Sequence, residues 1–226
     1  MNISIVLPIF NEDKIIEQSI LIILKKSKLV LSNVEILAVN DGSTDKTKII
    51  LQKLQEQVKD VKIVTHKTNK GYGAALRSGI KHAKFDWVFF TDSDMQFDFS
   101  EISHFIPHTN EYDFIVGYRK KRADSTRRKI ISFIYNRMVR ILFDLPLKDV
   151  DCAFKLMRKS SLAKIDLASN SFFISVELMV KAKQKKNLIK ELGVTHFPRR
   201  KGKSTVTMKR IVLSLIDLVK LRLSYL

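Results

Sequence analysis

The chain has 226 residues, of which 41 are lysine or arginine and 23 are aspartate or glutamate, so its formal net charge is +18. Hydrophobic residues make up 45% of the sequence, which argues against disorder and is enough for one well-packed domain. The positive charge predicts a polyanionic partner: nucleic acid, an anionic membrane or a phosphorylated substrate. The lone Cys152 excludes an intrachain disulfide and fits a reducing, cytoplasmic compartment. We expect neither a signal peptide nor a membrane-spanning helix.

The first half of the sequence alternates short apolar runs with amphipathic helical segments. This alternation predicts right-handed crossovers and a mainly parallel sheet flanked by helices, an α/β fold. We expect Pro8 to end the first strand and Ser43 to cap the second helix. The predicted strands of this half are 2–7, 34–39, 61–65 and 87–91.

Two carboxylates, Asp92 and Asp94, follow the fourth predicted strand and flank Ser93. Ligands of open parallel sheets bind outside the carboxyl ends of the strands. Neighbouring carboxylates repel each other unless a cation lies between them, and Mg²⁺ or Mn²⁺ with substrate phosphates suits them. Gln96 could add a neutral oxygen ligand. The alternative is a polar turn in which Asp92 or Asp94 caps the next helix.

Other loops at the same predicted edge carry polar or flexible residues. Asn11 and Glu12 follow the first strand, and Asp41 follows the second. Gly71 and Gly73 form a tight loop that could approach a ligand with its backbone, although the dinucleotide and P-loop patterns are absent. Ordinary turn chemistry remains the alternative for Asp41 and for both glycines.

A dense basic run opens the second half, because seven of the eleven residues in 119–129 are lysine or arginine. Such a run is either a solvated loop or, beside a metal and a phosphate, an anion-binding wall. Further strands are predicted at 113–117, in the segment after Asp149 and at 188–197, with a helix around Glu177 between the last two.

Two helices of the second half are strongly apolar. The helix 130–143 leaves one narrow polar stripe at Ser132, Asn136 and Arg140, which predicts either burial in the core or a position in a membrane interface. The last helix, from Met208, is amphipathic and basic. It is predicted either to dock on the sheet or to lie on a membrane.

Four motifs occur in a fixed order along the chain: LPIFNE at 7–12, VNDGSTD at 39–45, NKGYG at 69–73 and DSDMQ at 92–96. Together they resemble the family 2 glycosyltransferases of the GT-A fold. The second half narrows the resemblance to dolichyl-phosphate mannose synthase and bacterial polyprenyl-phosphate sugar transferases. The segments that do so are 117–119, 151–155, Glu177, 196–199 and 202–204.

The resemblance implies a catalytic GT-A domain at 1–205 and an amphipathic C-terminal helix at 206–226. It also implies roles for individual residues, with Mg²⁺ or Mn²⁺ as the cofactor. The metal would be held by Asp92, Asp94 and Gln96. The UDP- or GDP-sugar donor would contact Pro8, Phe10, Glu12, Asp41, Asp92, Ser93, Asp94, Arg119, Arg199 and Lys203.

The nature of the acceptor follows from the arginines. A hydroxyl acceptor benefits from a general base, whereas a phosphate acceptor is already anionic and needs positive side chains. We therefore expect a polyprenyl phosphate bound by Arg122, Arg127 and Arg128, with Asp94, Arg119 and Arg128 as the catalytic residues. Inverting transfer, which the resemblance implies, would take place on the cytoplasmic face of an anionic membrane, with the protein bound peripherally.

Two other functions remain open. A sugar transferase with a saccharide or protein hydroxyl acceptor would need Asp151 or Glu177 as its general base. A non-catalytic basic module could bind a membrane or nucleic acid. Nucleic acid is not expected, because the sequence has no zinc-finger, RNA-recognition or basic-zipper pattern.

Overall fold

The structure is a computed structural model that describes residues 1–120, 126–198 and 208–223. Within them, the strands are β1 (Asn2–Ile9), β2 (Asn33–Asn40), β3 (Val61–Thr65), β4 (Trp87–Thr91), β5 (Phe114–Arg119), β6 (Phe154–Arg158) and β7 (Ile189–Val194). The helices are α1 (Ile16–Lys28), α2 (Thr47–Gln57), α3 (Tyr72–His82), α4 (Thr126–Phe143), α5 (Lys159–Leu162), α6 (Ile174–Gln184) and α7 (Met208–Leu223). Two 3-10 segments, Phe99–His104 and Ile106–Asn110, follow β4.

The described strands form one seven-stranded sheet in the order β3-β2-β1-β4-β6-β5-β7. Strands β1 to β4 are mutually parallel, and so are β5 and β7. Among the described strands, only β6 runs antiparallel to its neighbours, β4 and β5. The predicted α/β fold with a mainly parallel sheet is therefore confirmed, and β3 and β4 have the predicted bounds.

Two hydrophobic clusters cover the two faces of the sheet. One cluster includes side chains of α1, α2 and the 3-10 segments, and the other includes side chains of α3, α4, α6 and α7. Strands β1 and β4 are buried along almost their whole length, which explains their nearly continuous apolar sequences. Their carboxyl ends leave this core at one edge, and the carboxylates predicted to be functional lie there.

Two local predictions were wrong. Strand β1 continues through Pro8 to Ile9. Proline fits there because β1 pairs with β4 only up to Val6, so no ladder to β4 needs the missing N–H. Ser43 does not cap α2: its hydroxyl accepts a hydrogen bond from Asn11 N at 3.0 Å. Asp45 instead accepts from the Thr47 amide at 2.9 Å, at the start of α2.

Helix α4 turns its polar stripe toward the protein. Asn136 is buried: its Nδ2 donates to Ser132 O at 2.8 Å, and its Oδ1 accepts from Val150 N at 2.8 Å. Tyr135 and Val139 are buried on the same side of the helix. The opposite side exposes five large apolar side chains. They are Ile130 (55% exposed), Phe133 (70%), Ile134 (53%), Met138 (36%) and Ile141 (69%).

Helix α7 packs beside α4 with Leu218 fully buried in the same hydrophobic cluster. Its other side exposes Leu213, Ile216, Val219 and Leu223. Of the two predicted alternatives, α7 docks on the domain, and its position on a membrane stays a prediction. The predicted boundary at 205/206 lies outside the described residues. Among the described helices, none is both long and apolar enough to cross a bilayer.

Candidate active site

The candidate site lies at the carboxyl ends of β1, β2 and β4. These ends bring Pro8, Asp41 and Asp92 to one edge of the sheet, because the three strands are adjacent and parallel. The Ser93 hydroxyl donates to Pro8 O at 3.4 Å, which ties the segment after β4 to the end of β1. Phe10, which follows β1, is 37% exposed, and its place beside the nucleotide stays a prediction.

Asp92 and Asp94 form a pair of neighbouring like charges. Burial and then the Asp94 charge raise the pKa of Asp92 to about 7, whereas Arg119 and Lys155 act in the opposite direction. Two close, partly buried carboxylates are stable as anions only with a compensating cation. Within residues 1–120, 126–198 and 208–223, no group of three or more acidic, histidine or cysteine side chains is placed to hold a metal. The carboxylate pair fits a divalent ion that takes its other ligands from phosphates and water.

The turn after β4 is formed by the Asp94 carboxylate and a left-handed residue. Asp94 Oδ1 accepts from Gln96 N at 3.1 Å, and Met95 between them has φ = 59°. Asp94 therefore makes an Asx turn and does not cap a helix. Asp98 caps the following 3-10 segment by accepting from Ser100 N. The polar-turn alternative thus describes the backbone of Asp94, while its carboxylate still adjoins Asp92.

Gln96 joins this turn to the segment that follows β7. Its Nε2 donates to Phe197 O at 3.0 Å, and Phe197 N donates to Gln96 O at 2.8 Å. An isolated bridge pairs Phe97 with His196. The segment leading to Pro198 is therefore attached to the carboxylate turn. The role of Gln96 as a metal ligand stays a prediction.

Tyr72, the first residue of α3, also belongs to the site. Its hydroxyl donates to Asp92 Oδ1 at 2.7 Å, and burial and the Asp92 charge raise the pKa of the phenol well above its usual value. The ring contacts Phe90 edge-on, with centroids 5.9 Å apart, and Phe172 at a tilt, with centroids 4.6 Å apart.

Asp41 holds the loop before Tyr72. Its Oδ1 accepts from His66 Nδ1 at 2.7 Å and from Lys70 N at 2.9 Å, and its Oδ2 accepts from Gly71 N at 2.8 Å. A carboxylate has about four lone-pair positions, so these three bonds leave capacity for one more donor. The predicted bond to a nucleotide base remains a prediction.

The two glycines of this loop allow the segment 168–170 to approach closely. Gly71 has φ = 97°, and a Cβ there would lie 2.3 Å from Asn170 O. Gly73 N donates to the same carbonyl at 2.9 Å. Glu177 supports the segment from the other side, because its two carboxylate oxygens accept from Ala168 N at 3.0 Å and Ser169 N at 2.9 Å. Glu177 is therefore engaged in holding a loop.

Arg119, at the end of β5, is tied to Asp149. Its Nε and Nη2 donate to the two carboxylate oxygens at 2.5 and 2.6 Å, and this pairing holds its pKa above the usual range against the effect of burial. The positive charge still acts on Asp92, whose pKa it lowers. Arg119 therefore acts electrostatically on Asp92 and has a carboxylate partner that was not predicted. Its contact with the donor phosphates stays a prediction.

Lys155, the second residue of β6, is a fully buried cation. Its Nζ donates to Val150 O at 3.0 Å and also to Cys152 O. Burial lowers the pKa of Lys155. These bonds fasten the turn that carries Asp149 and Asp151 behind the site.

Other predicted residues are less closely defined. Glu12 donates from its backbone amide to Thr47 Oγ1 at 2.9 Å. Arg128 is exposed in the first turns of α4. Arg122, Arg199 and Lys203 and the side chain of Arg127 lie outside the described residues.

Sequence reasoning missed four residues: Tyr72, His66, Asp149 and Lys155 received no role there. Two of them carried a signal. A lysine in an apolar strand predicts a buried cation with polar partners, and Tyr72 lies inside the NKGYG motif. The partners of His66 and Asp149 are about 25 and 30 positions away in sequence, where no local pattern connects them.

Two curated proteins are similar to nearly the whole of this chain. The chain is 29% identical to dodecaprenyl-phosphate galacturonate synthase of Rhizobium johnstonii over 97% of its own length, and 26% identical to glycosyltransferase AglD of Haloferax volcanii over 95%. It spans 66% of the first relative and 36% of the second.

Solved structures share the fold. Glucosyl-3-phosphoglycerate synthase of Mycobacterium tuberculosis, in complex with Mn²⁺, UDP and glucosyl-3-phosphoglycerate, superposes with a TM-score of 0.77 at 16% identity, covering 98% of this chain and 79% of that one. Mannosyl-3-phosphoglycerate synthase of Rubrobacter xylanophilus gives 0.74 at 14% identity, covering 100% and 74%. The family model described as glycosyl transferase family 2 matches residues 4–166. The chain belongs to glycosyl transferase family 2.

Proposed function

We propose that this protein is a metal-dependent, inverting glycosyltransferase that moves a sugar from a nucleotide-sugar to a polyprenyl phosphate on the cytoplasmic face of a membrane. The observation that carries the proposal is the pair Asp92 and Asp94 at the carboxyl end of β4, with the Arg119 charge acting on it. This arrangement is suited to a donor diphosphate, whose negative charge grows as the sugar leaves.

Asp92, Asp94 and Gln96 would hold Mg²⁺ or Mn²⁺. When bound, the ion supplies positive charge to the leaving diphosphate. The raised pKa of Asp92 supports this assignment, since a cation would relieve the repulsion from Asp94 that contributes to it. The M. tuberculosis relative has also been solved with Mn²⁺ and UDP-glucose.

Arg119 would contact the donor phosphates. Its pairing with Asp149 fixes the guanidinium, and a pre-oriented donor loses little entropy when a phosphate binds. The N–H groups not used by Asp149 are available to phosphate oxygens. Arg119 therefore serves as an oriented hydrogen-bond donor more than as an isolated charge.

A phosphate acceptor suits the described side chains better than a hydroxyl acceptor. A hydroxyl needs a general base, and Glu177 already accepts three hydrogen bonds, from the amides of residues 168 and 169 and from Lys181. Asp151 would remain the base for that alternative. A phosphate needs none, and Arg128 could meet it at the start of α4. The R. johnstonii relative is named dodecaprenyl-phosphate galacturonate synthase, after a polyprenyl-phosphate sugar.

The membrane would be met by α4 and α7. Both helices expose large apolar side chains on one side while their other side packs on the domain. Exposed basic residues accompany these faces: Arg137, Lys220 and Arg222. Each well-placed cation favours an anionic leaflet by about 1 kcal/mol. The two helices would thus bring the site to the lipid phosphate.

Thermal unfolding with a panel of UDP-, GDP- and dTDP-sugars, each with and without Mn²⁺, tests the donor site. Ligand at about 100 times its dissociation constant stabilises by about 2.7 kcal/mol, which is roughly 5–11 °C for a domain of this size. We expect a Mn²⁺-dependent shift for one nucleotide that disappears in Asp94→Asn while the fold is kept. No shift with any donor would contradict the proposal.

A further inference from the structure

The Asp92 carboxylate is held by a tyrosine from a different structural element. The Tyr72 hydroxyl donates to Asp92 Oδ1 at 2.7 Å, across the gap between the start of α3 and the end of β4. Among the described residues, this is the only hydrogen bond to an Asp92 carboxylate oxygen, which leaves Oδ2 for another ligand.

Tyr72 is itself fixed from three directions. Asp41 Oδ2 accepts a hydrogen bond at 2.8 Å from the backbone amide of Gly71, the residue before Tyr72. Asn170 O accepts from Gly73 N, the residue after it. The Tyr72 ring packs against Phe172 at 4.6 Å and Phe90 at 5.9 Å. A side chain held this firmly can define the orientation of the group to which it donates.

We propose that Tyr72 is a positioning residue for the divalent cation: its hydroxyl fixes Oδ1 of Asp92, so that Oδ2 is presented to the metal in one orientation. The inference rests on the proposed function, because it needs a cation at Asp92 and Asp94. Tyr72 itself touches neither the cation nor the sugar.

The physical reason is the freedom of the carboxylate. The terminal torsion of an aspartate is broad, so without a partner the two oxygens of Asp92 would sample many directions. Removing a hydrogen bond to a metal ligand typically lowers metal affinity by roughly 10–100-fold. Tyr72 is the described side chain that could supply this constraint to Asp92.

Tyr72→Phe tests the proposal, because it removes the hydroxyl and keeps the ring between Phe90 and Phe172. Mn²⁺ binding is measured by electron paramagnetic resonance of the free ion, first with Mn²⁺ alone and then with UDP or GDP present. We expect Mn²⁺ affinity to fall by about 10-fold or more, with an unchanged melting temperature without metal. Tyr112→Phe, which removes a hydroxyl near β5, is the matched control and should bind as wild type.

Steady-state kinetics give a second readout. In Tyr72→Phe, the Mn²⁺ concentration for half-maximal rate should rise by a similar factor, and saturating Mn²⁺ should restore most of kcat. If the role of Tyr72 were purely structural, Tyr72→Phe would have a lower melting temperature, and saturating Mn²⁺ would not restore kcat.

The outcomes separate this inference from the function on which it rests. Equal Mn²⁺ affinity in Tyr72→Phe and wild type would overturn the positioning role alone. Absence of Mn²⁺ binding by wild type, with and without nucleotide, would overturn both the positioning role and the metal-dependent function.

Discussion

Arg119 and Asp149 form a bidentate ion pair at the edge of the candidate site, with N···O distances of 2.5 and 2.6 Å. The Arg119 backbone amide adds a third bond to Asp149 at 3.3 Å. The side chains are 12% and 8% exposed, so both charges are largely removed from water. The pair joins the end of β5 to the turn before β6 and orients the guanidinium near Asp92.

Removing Asp149 should therefore be costly. Asp149→Ala leaves a buried guanidinium without its carboxylate, and breaking such a pair typically costs about 3–5 kcal/mol. We expect the free energy of unfolding, measured by denaturant titration, to fall by about 3 kcal/mol. The control is Lys28→Ala in the more exposed Lys28–Asp60 pair, which should change it by less than about 1 kcal/mol. Similar losses in both variants would contradict the buried role of Asp149.

The raised pKa of Asp92 predicts that the stability of the metal-free protein falls as pH rises toward 7. The folded state keeps the Asp92 proton up to a pKa of about 7, whereas an unfolded aspartate releases it near the ordinary value of 3.8. Between these values the folded state binds more protons, so rising pH lowers the stability contributed by Asp92. The loss is at most about 4 kcal/mol, at about 1.36 kcal/mol per pKa unit.

Asp92→Asn removes this titration, so in EDTA it should be more stable than wild type at about pH 8 and lose that advantage at about pH 4. Unfolding free energies of both proteins at the two pH values provide the test. A difference between wild type and Asp92→Asn that is the same at both pH values would show that Asp92 has no raised pKa. Metal binding needs the anion, so Mn²⁺ affinity should increase as pH rises toward 7.

The exposed face of α4 predicts membrane binding that can be removed without unfolding the protein. Phe133→Ser with Ile141→Ser deletes two side chains that are 70% and 69% exposed, so the melting temperature should change little. Sedimentation with anionic liposomes should show at least about a 10-fold loss of binding, since each side chain contributes about 1.5–3 kcal/mol when fully buried in lipid.

Leu29→Ser is the matched control for this experiment. Leu29 is 79% exposed directly after α1, on the other face of the sheet, and its loss should leave liposome binding unchanged. Wild-type protein that ignores anionic liposomes at both low and physiological salt would rule out docking through α4 and α7.

Substitution of Arg128 tests whether this side chain binds the acceptor and not the donor. Arg128→Ala should raise the KM for a polyprenyl phosphate by about 10-fold or more, because a charge-assisted hydrogen bond contributes about 1.5–3 kcal/mol. The KM for the nucleotide-sugar should change by less than about 2-fold, since the proposal places no donor contact at Arg128. Initial rates at saturating levels of the other substrate measure both constants. Equal increases in the two KM values would refute an acceptor role.

The strands of the sheet could be predicted because the residue patterns that specify them are local in the sequence. Strands β3 and β4 are apolar runs bounded by polar turns, and they have the predicted bounds. The motifs then place Asp41, Asp92 and Asp94 at strand ends, which a parallel sheet gathers at one edge. Spacing and periodicity indicate where the backbone of each strand begins and ends, but they do not identify the partners of its side chains.

The long-range partners could not be predicted in the same way. Tyr72 and Asp92 meet across two elements, and Arg119 reaches an aspartate 30 residues away. The orientation of α4 is of the same kind. Its polar Asn136 faces inward because Val150 N needs an acceptor, and that need arises only in the folded chain.

The central claim is tested most directly by product analysis. Purified protein with Mn²⁺ is given the nucleotide-sugar selected by thermal unfolding and three acceptors in parallel: a short-chain polyprenyl phosphate, the matching polyprenol and a simple saccharide. The account predicts that mass spectrometry finds one sugar added to the polyprenyl phosphate only, and that EDTA or Asp94→Asn abolishes the product. Transfer to the polyprenol or the saccharide, with the polyprenyl phosphate unmodified, would contradict the account.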